Sequence, residues 1–268
     1  MKLIFSEEKP DYSHYHFPYA IWAIPEAHET PAMIFDQGFL PSSRELDRFY
    51  LCRQIRVRLS QFQSSSENRR ILRKGAGIDF ELRTRDTFDY TPEWRDFCKT
   101  YADIRFGKDI MTCQRLDSLF NSKIISHLLL FYDSKKQQEV GLATMYLEEK
   151  KLAYYYYAFY DLNYYSQNLG MYMMTSAVEY FAQLGFDMLY LGTCYSQNAL
   201  YKTQFTGFQF FNGFCWSDNL KELKYLIQRD KTSREEHLVE TEEYREKFYY
   251  GKLQNIIDRT GFTIRLES

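Results

Sequence analysis

This sequence has no paired cysteines. Cys52, Cys98, Cys113, Cys194 and Cys215 are odd in number and scattered, and no two stand at the Cys-x-x-Cys spacing of a zinc knuckle or redox motif. Neither a disulfide framework nor a thiolate metal site is signalled. The histidines are equally dispersed. Only His14 and His16 lie close together, and one period-two pair on a strand face is a weak metal signal. No apolar run approaches the roughly 18 residues that a membrane span needs. The apolar start of MKLIFSEEKPDYSHYH is far too short for a signal peptide, so the expected location is cytoplasmic, with no membrane contact. An excess of one charge is missing too. The net charge of −2 excludes a uniformly basic nucleic-acid binder, so any RNA contact must come from a local patch. There is no low-complexity segment and no internal repeat.

Aromatic residues are abundant. With 24 Tyr and 22 Phe in 268 residues, a β-rich, tightly packed interior is expected, because each ring buries a large area. Tyrosine hydroxyls can also line polar grooves. A compositional habit without structural meaning remains the alternative at this point.

Along the chain, residues 1–40 read as irregular, with Pro18 and Pro25 in HFPYAIWAIPE. Residues 49–62 alternate Ile55, Val57 and Leu59 against Arg56 and Arg58, which predicts a half-buried strand with one cationic face. Ser64 stands three residues before Glu67, a capping-box spacing that predicts a helix over ENRRILRK ending at Gly75 and Gly77. Residues 91–118 read as helical, with Thr91 as cap and Pro92 in the first turn. Three strands follow, over 125–133, 140–148 and KLAYYYYAFYD, the last ending at Asp161. The segment NLGMYMMTSAVEYFAQLG is an amphipathic helix with Leu169, Met173, Val178, Phe181 and Leu184 on one stripe. After it come a short buried strand (FDMLYLG), a turn of helix (TCYSQNALYKTQF) and the strand FQFFNGFCW. Ser233 and Glu236 predict a cap for a long polar helix reaching about Arg259.

The order β-β-β-α-β-α-β over about 120–218 is that of the GCN5-related acyltransferase fold. The expected fold class is therefore α+β: a GCN5-related N-acetyltransferase-like mixed sheet with flanking helices. A smaller N-terminal α/β subdomain is expected over 1–118, carrying the basic strand and helix, and the acyltransferase-like domain with C-terminal helices over 119–268. Acyl-CoA enzymes of this fold hold pyrophosphate on backbone N–H groups at a helix start, with an Arg/Gln-x-x-Gly-x-Gly/Ala loop. Here Gln167 and Gly170 fit and Tyr172 replaces the small residue. A phenol where backbone must approach phosphate counts against CoA. Gly170 easing helix–strand packing is the plain alternative.

Between Arg53 and Lys74 lie seven cations and one acid, Glu67. On a helix, Arg69 and Arg73 are spaced i, i+4, and so are Arg70 and Lys74, which gives one broad cationic face. Such a face near a helix start suits a polyanion, and arginine's fork suits phosphate. A solvated face paired with acids elsewhere is the alternative.

Here the residues resemble a family, the aminoacyl-tRNA–protein transferases of arginyl and leucyl type. In LCRQIRVRLSQFQSSSENRRILRK, the residues Cys52, Arg56, Val57, Phe62, Ser64, Ser66, Arg69, Arg70, Arg73 and Lys74 look like that family's Cys, Arg-Val, Phe, Ser-rich and paired basic elements. FDQGF at 35–39 resembles its short Gly-Phe element. Tyr160-Asp161, Leu169-Gly170, Tyr190-Leu191-Gly192 and Tyr201-Lys202 follow in the family's order, so the resemblance covers roughly residues 15–216. The family's N-terminal cysteine cluster is absent apart from Cys52, Leu162 stands where it has Pro after the Asp, and the Cys usual before Tyr-Lys is missing. One thiolate cannot hold an iron–sulfur or metal centre.

The resemblance implies aminolysis of aminoacyl-tRNA by the N-terminal amine of an acceptor protein, with no cofactor beyond aminoacyl-tRNA as co-substrate. It implies Asp161 as proton acceptor, and Tyr201 and Lys202 at the oxyanion or leaving ribose oxygen. Gly170 and Gly192 would let backbone approach the terminal adenosine, and Arg56, Arg69, Arg70, Arg73 and Lys74 would hold phosphates. A CoA-dependent N-acetyltransferase and a non-catalytic member that binds tRNA or peptide are the competing readings. Asp161 capping the next turn, and Lys202 as a packed surface lysine, are the competing readings of those residues.

Overall fold

The apolar segments over residues 127–160, broken by polar turns, fold as an antiparallel meander. In the computed structural model, which describes residues 1–13, 17–232 and 236–262, the meander comprises β7 (His127–Asp133), β8 (Gln138–Glu148) and β9 (Leu152–Tyr160). Leu130 lies opposite Leu142, and Leu142 opposite Phe159. The chain then runs through a 3-10 turn (Leu162–Gln167) into α5 (Leu169–Gln183) and returns in β10 (Met188–Thr193), parallel to β9. The helix stripe read from sequence is wider in the structure, because Tyr172, Met174 and Thr175 are also buried; Leu184 lies just past the helix and is exposed.

Two strands from the first half complete the same sheet. β5 (Gln54–Arg58) is inserted between β10 and β11 (Phe208–Phe211), and β6 (Ile78–Thr84) closes the far edge against β7. With β12 (Trp216–Ser217) the order is β12-β11-β5-β10-β9-β8-β7-β6. Residues on both sides of position 118 therefore share one sheet. The result is a mixed eight-stranded sheet with flanking helices, in keeping with the α+β class expected. β5 corrects the half-buried strand expected with a cationic face. Strand neighbours on both edges put it inside the sheet, and Gln54, Ile55, Arg56 and Val57 are all buried.

Residues 1–40 are not irregular. β1 (Lys2–Glu7) and β2 (Tyr19–Ile24) pair antiparallel, with Leu3 opposite Ala23. After α1 (Pro31–Asp36), the strands β3 (Phe39–Pro41) and β4 (Phe49–Leu51) complete a four-stranded sheet ordered β1-β2-β4-β3. β1 is exposed along most of its length, so its sequence carries no alternation to read. Aromatic edges tie this sheet to the large one. The Phe35 ring meets Phe49, Tyr154 and Tyr190 with centroids 6.1, 5.1 and 4.9 Å away, in the tilted geometries aromatic pairs favour.

α2 (Ser66–Lys74) is capped by Ser65, one residue later than the expected Ser64. Ser65 accepts the Asn68 N–H at 3.1 Å and Asn68 accepts the Ser65 N–H at 3.1 Å, while Glu67 pairs with Arg70 at 2.5 Å. The helix expected over 91–118 is two helices, α3 (Pro92–Arg105, capped by Thr91) and α4 (Cys113–Phe120, capped by Thr112). Positive φ at Gly107 and Asp109 breaks it. At the C-terminal end, α6 (Leu220–Arg229) is capped by Asn219. The expected long helix is α7 (Glu242–Tyr249) and α8 (Leu253–Ile257), interrupted by left-handed backbone at Tyr250 and Gly251. His14, His16 and the Ser233 cap lie outside the described residues. No described helix is long and apolar enough to cross a membrane.

Candidate active site

β9 and β10 are paired only at their starts, Leu152 with Met188, Ala153 with Leu189 and Tyr154 with Tyr190. Beyond Tyr190 the register of β10 shifts, and Gly192 takes φ +79°, a conformation that L side chains rarely adopt. The two strands part there. Residues 155–160 keep β8 on one edge and lose a strand on the other. The opening is a cleft of about 460 Å³ whose walls come from β9, the first turn of α5, the end of α3 and the 3-10 turn Gln197–Thr203.

Lys202 and Tyr201 both line it. The Lys202 ammonium donates to the Thr193 carbonyl at 3.0 Å and lies 6.0 Å from the Tyr201 ring centroid. Burial pushes its pKa below the ordinary lysine value, partly offset by the neighbouring Cys194. A Cβ at Gly192 would stand 3.7 Å from Nζ, an ordinary contact, so it is the φ of this position and not the space beside Lys202 that calls for glycine. On the opposite wall, Arg105 presents its guanidinium 5.4 Å from the Tyr165 ring centroid. Burial works against that charge, and the phenols of Tyr160, Tyr101 and Tyr165 outweigh it. Among the lining residues there are two cations and no carboxylate.

Tyr155, only 4% exposed, places its hydroxyl beside those of Tyr201, Tyr101 and Tyr160. That hydroxyl has no hydrogen-bond partner among the described residues. Burial raises its pKa well above the ordinary value, so it stays a neutral donor. A buried unpaired hydroxyl costs about 1–3 kcal/mol, a cost the fold carries at this position.

Gly170 also lines the cleft, and a Cβ there would come within 2.8 Å of Tyr160 Cε1. The glycine thus lets the Tyr160 ring lie on the first turn of α5. Tyr172 points the other way. Its ring covers Gly75 at the end of α2 and its hydroxyl donates to the Ile78 carbonyl. The expected clash between this phenol and a phosphate at the helix start is therefore corrected, because the side chain faces α2 and not the cleft.

The remaining candidates lie elsewhere. Asp161 caps the 3-10 turn after β9, its carboxylate accepting the Asn163 N–H at 2.9 Å, and it does not line the cleft. Arg56 is 4% exposed. It pairs with Asp36 at 2.5 Å, donates to Gln209 at 3.0 Å and stacks on Trp216 at 3.7 Å. These partners hold it inside the sheet, which corrects its expected place on a phosphate-binding surface. Arg69, Arg70, Arg73 and Lys74 are exposed on α2, where among the described residues only Arg70 forms an ion pair with an acid. None of the four lines the cleft. α2 packs against α5, so one face of the first turn of α5 meets the basic helix while another borders the cleft.

Several lining residues carried little sequence signal. Arg105 stands at the end of α3 without a motif, and Tyr101 reads as an ordinary helix residue. The run Tyr154-Tyr155-Tyr156-Tyr157 was the legible clue, because a central strand filled with phenols where aliphatic residues would pack must place some hydroxyls in a polar space. For metals, Glu26, His28 and Glu29 are the group close enough together among the described residues, and both glutamates already pair with the Met1 amine. The five cysteines are free, and Cys52, Cys98 and Cys194 are buried.

No protein-family model matches the chain, and no curated protein does. Among solved structures it is similar to the C-terminal domain of a protein described as a lysylphosphatidylglycerol synthetase, from Agrobacterium fabrum (14% identity, TM-score 0.41, covering 53% of this chain and 46% of that one). It is also similar to L-PGS from Bacillus licheniformis (12%, 0.42, 53% and 44%) and to FemX (10%, 0.40, 53% and 53%). The match spans about half the length of each of these proteins.

Proposed function

We propose that this protein transfers an aminoacyl group from aminoacyl-tRNA to the N-terminal amine of an acceptor protein, with the β9–β10 cleft as its site. The observation that carries the reading is the combination of Lys202, Arg105 and the tyrosines around them in a cleft without a carboxylate. Such a lining offers donors and positive charge but no base. It suits a donor already activated as an ester and an amine nucleophile that loses its proton to solvent near its own pKa of about 7.7–8.0.

In the proposed reaction the neutral amine attacks the ester carbonyl carbon, the C–N bond forms and the bond to the ribose oxygen breaks. The proton on the new ammonium leaves, and the departing ribose oxygen takes one up. Lys202 supplies a hydrogen bond to that oxygen, and the Tyr201 hydroxyl stands beside the carbonyl oxygen as negative charge develops on it. Holding both substrates in line supplies the rest, worth on the order of 7 kcal/mol when well aligned. Arg105 offers a counter-charge to an acceptor whose first side chain is acidic. Asp161 keeps only a turn-capping part in this scheme, and the α2 cations remain candidates for the body of the tRNA.

The test is purified protein with charged tRNAs and peptides of different first residues, run beside acetyl-CoA with the same peptides. The reading expects tRNA-dependent addition of one amino acid to at least one peptide. Addition from acetyl-CoA alone would establish the acetyltransferase instead, a reading favoured by the first turn of α5 lining the cleft with Tyr172 turned away. Peptide binding without any transfer would establish a non-catalytic binder.

A further inference from the structure

A second, smaller cleft of about 180 Å³ adjoins the first. Ser43, Arg44, Arg115 and Leu119 line it together with Tyr156 and Tyr157, and those two tyrosines also line the first cleft. The two spaces thus share a wall, one pair of half-exposed rings whose centroids lie 4.5 Å apart at 57°. Arg44 bonds the Ser118 hydroxyl and Arg115 donates to the Ile110 carbonyl at 3.1 Å. Neither arginine has a carboxylate partner among the described residues. Both charges bear on the Tyr156 phenol. With Arg105 and Lys202, the joined surface carries four cations and no acid. The chain as a whole has 36 acids against 34 Lys and Arg, so this segregation of charge is a local feature of the surface.

We propose that this second cleft receives the single-stranded 3′ end of the donor RNA, which crosses Tyr156 and Tyr157 to bring its terminal ribose to Lys202. The proposal rests on the aminoacyl-tRNA reading and assigns the donor's route into that site. Single-stranded RNA asks for cations spaced along its phosphates and for rings on which its bases stack, and both line these two neighbouring clefts.

The experiment titrates a short uncharged oligonucleotide of the sequence common to tRNA 3′ ends, at several salt concentrations. It compares wild type with Arg44→Ala/Arg115→Ala, and with Lys151→Ala/Lys247→Ala as a charge-matched control away from both clefts. The path expects the first pair to bind roughly tenfold or more weakly. Its slope of log affinity against log salt should shrink by about 1.4, at about 0.7 per lost single-strand contact. Tyr157→Leu should weaken binding with the slope kept, because stacking releases no counterions. Arg44→Lys/Arg115→Lys should keep the slope, which separates lost charge from a damaged fold. Wild-type affinity and slope in the double alanine variant overturn the path, as does a loss confined to the acceptor peptide. If charged tRNA still supports transfer, the aminoacyl-tRNA reading survives that result. Oligonucleotide binding as expected with no transfer by wild type leaves the route standing and removes the reading.

Discussion

Lys202 shows how a single residue's surroundings set its chemistry. Its amine is desolvated, hydrogen-bonded to one carbonyl and faces no carboxylate. As the proposed donor to the leaving oxygen it must be protonated, while the acceptor amine must be neutral. Transfer should therefore rise with pH through about 7.7–8.0, the ordinary range of an α-amine, and fall again as pH passes the Lys202 value, which burial holds below the usual lysine figure. Lys202→Ala should lower turnover roughly 100-fold to 1000-fold, the cost of losing one preorganised donor, and abolish the falling limb. A pH–rate profile of both proteins checks this, and a falling limb that persists in the variant assigns the limb to another group. Tyr155→Phe makes a second residue-scale test. Its hydroxyl is buried and has no hydrogen-bond partner among the described residues, so its removal should leave the melting temperature unchanged or raised. A drop in melting temperature would show that the hydroxyl is already satisfied in the free protein. Tyr201 and Lys202 were legible in the sequence as a pair in family order, and both reach the cleft. Arg105 was not legible, because only the parting of two strands brings the end of α3 against the middle of β9. Asp161 shows the opposite failure: at a strand end its carboxylate finds the nearest backbone N–H, and nothing in the sequence distinguishes that cap from a base.

At the scale of elements, caps and turns decide where helices and strands end. The turn from β7 to β8 is closed by Asp133, whose carboxylate accepts the Tyr164 hydroxyl at 2.7 Å and the N–H groups of Lys135 and Lys136 at 3.0 and 3.2 Å. The Tyr164 hydrogen bond, with the backbone donors, holds its pKa below the ordinary 3.8. A carboxylate depressed in the folded state contributes stability that is fully present above its unfolded value and is lost as pH falls through its lower folded value. Asp133→Asn should therefore melt earlier than wild type at neutral pH, with the gap closing as pH drops below about 3.9. Melting curves from neutral pH down to the acid limit check it, and a gap constant with pH would show that the charge is irrelevant.

α6 and α7 are joined by a buried carboxylate. Glu222, 2% exposed, accepts from Asn212 at 3.0 Å, Tyr244 at 2.6 Å, Tyr249 at 2.9 Å and Ser217 at 2.6 Å. Glu222→Ala would leave these buried donors unpaired and should cost about 3 kcal/mol or more, with proteolysis opening first at α7. Equal protection of α7 in both proteins would contradict its tethering by Glu222. Helix starts at Thr91 and over 66–74 were legible because capping chemistry is local. The long helix expected up to Arg259 breaks at Tyr250 and Gly251, where the glycine was the one local mark of left-handed backbone.

At the scale of the molecule, α5 stands between two cationic surfaces. On one side α2 exposes Arg69, Arg73 and Lys74 without acidic partners; on the other lie the cleft and its Arg44–Arg115 annexe. The sequence placed the first surface correctly on a helix. It merged that surface with Arg56 on a neighbouring strand, because alternation along 55–59 reads as half-buried when only one sheet edge is imagined, and β11 supplies the second edge from far along the chain. This separation has a measurable consequence. If α2 touches RNA, it touches the double-stranded body and not the 3′ end. Arg69→Ala/Arg73→Ala/Lys74→Ala should then weaken binding of full-length tRNA and reduce its salt slope by about 0.9 for each duplex phosphate released. Affinity for the isolated 3′-terminal oligonucleotide should stay at the wild-type value. Equal losses for both ligands would mean that α2 reaches around α5 to the single strand. No loss for either would make these three cations a solvated face, and would leave RNA recognition to the cleft side of α5 alone.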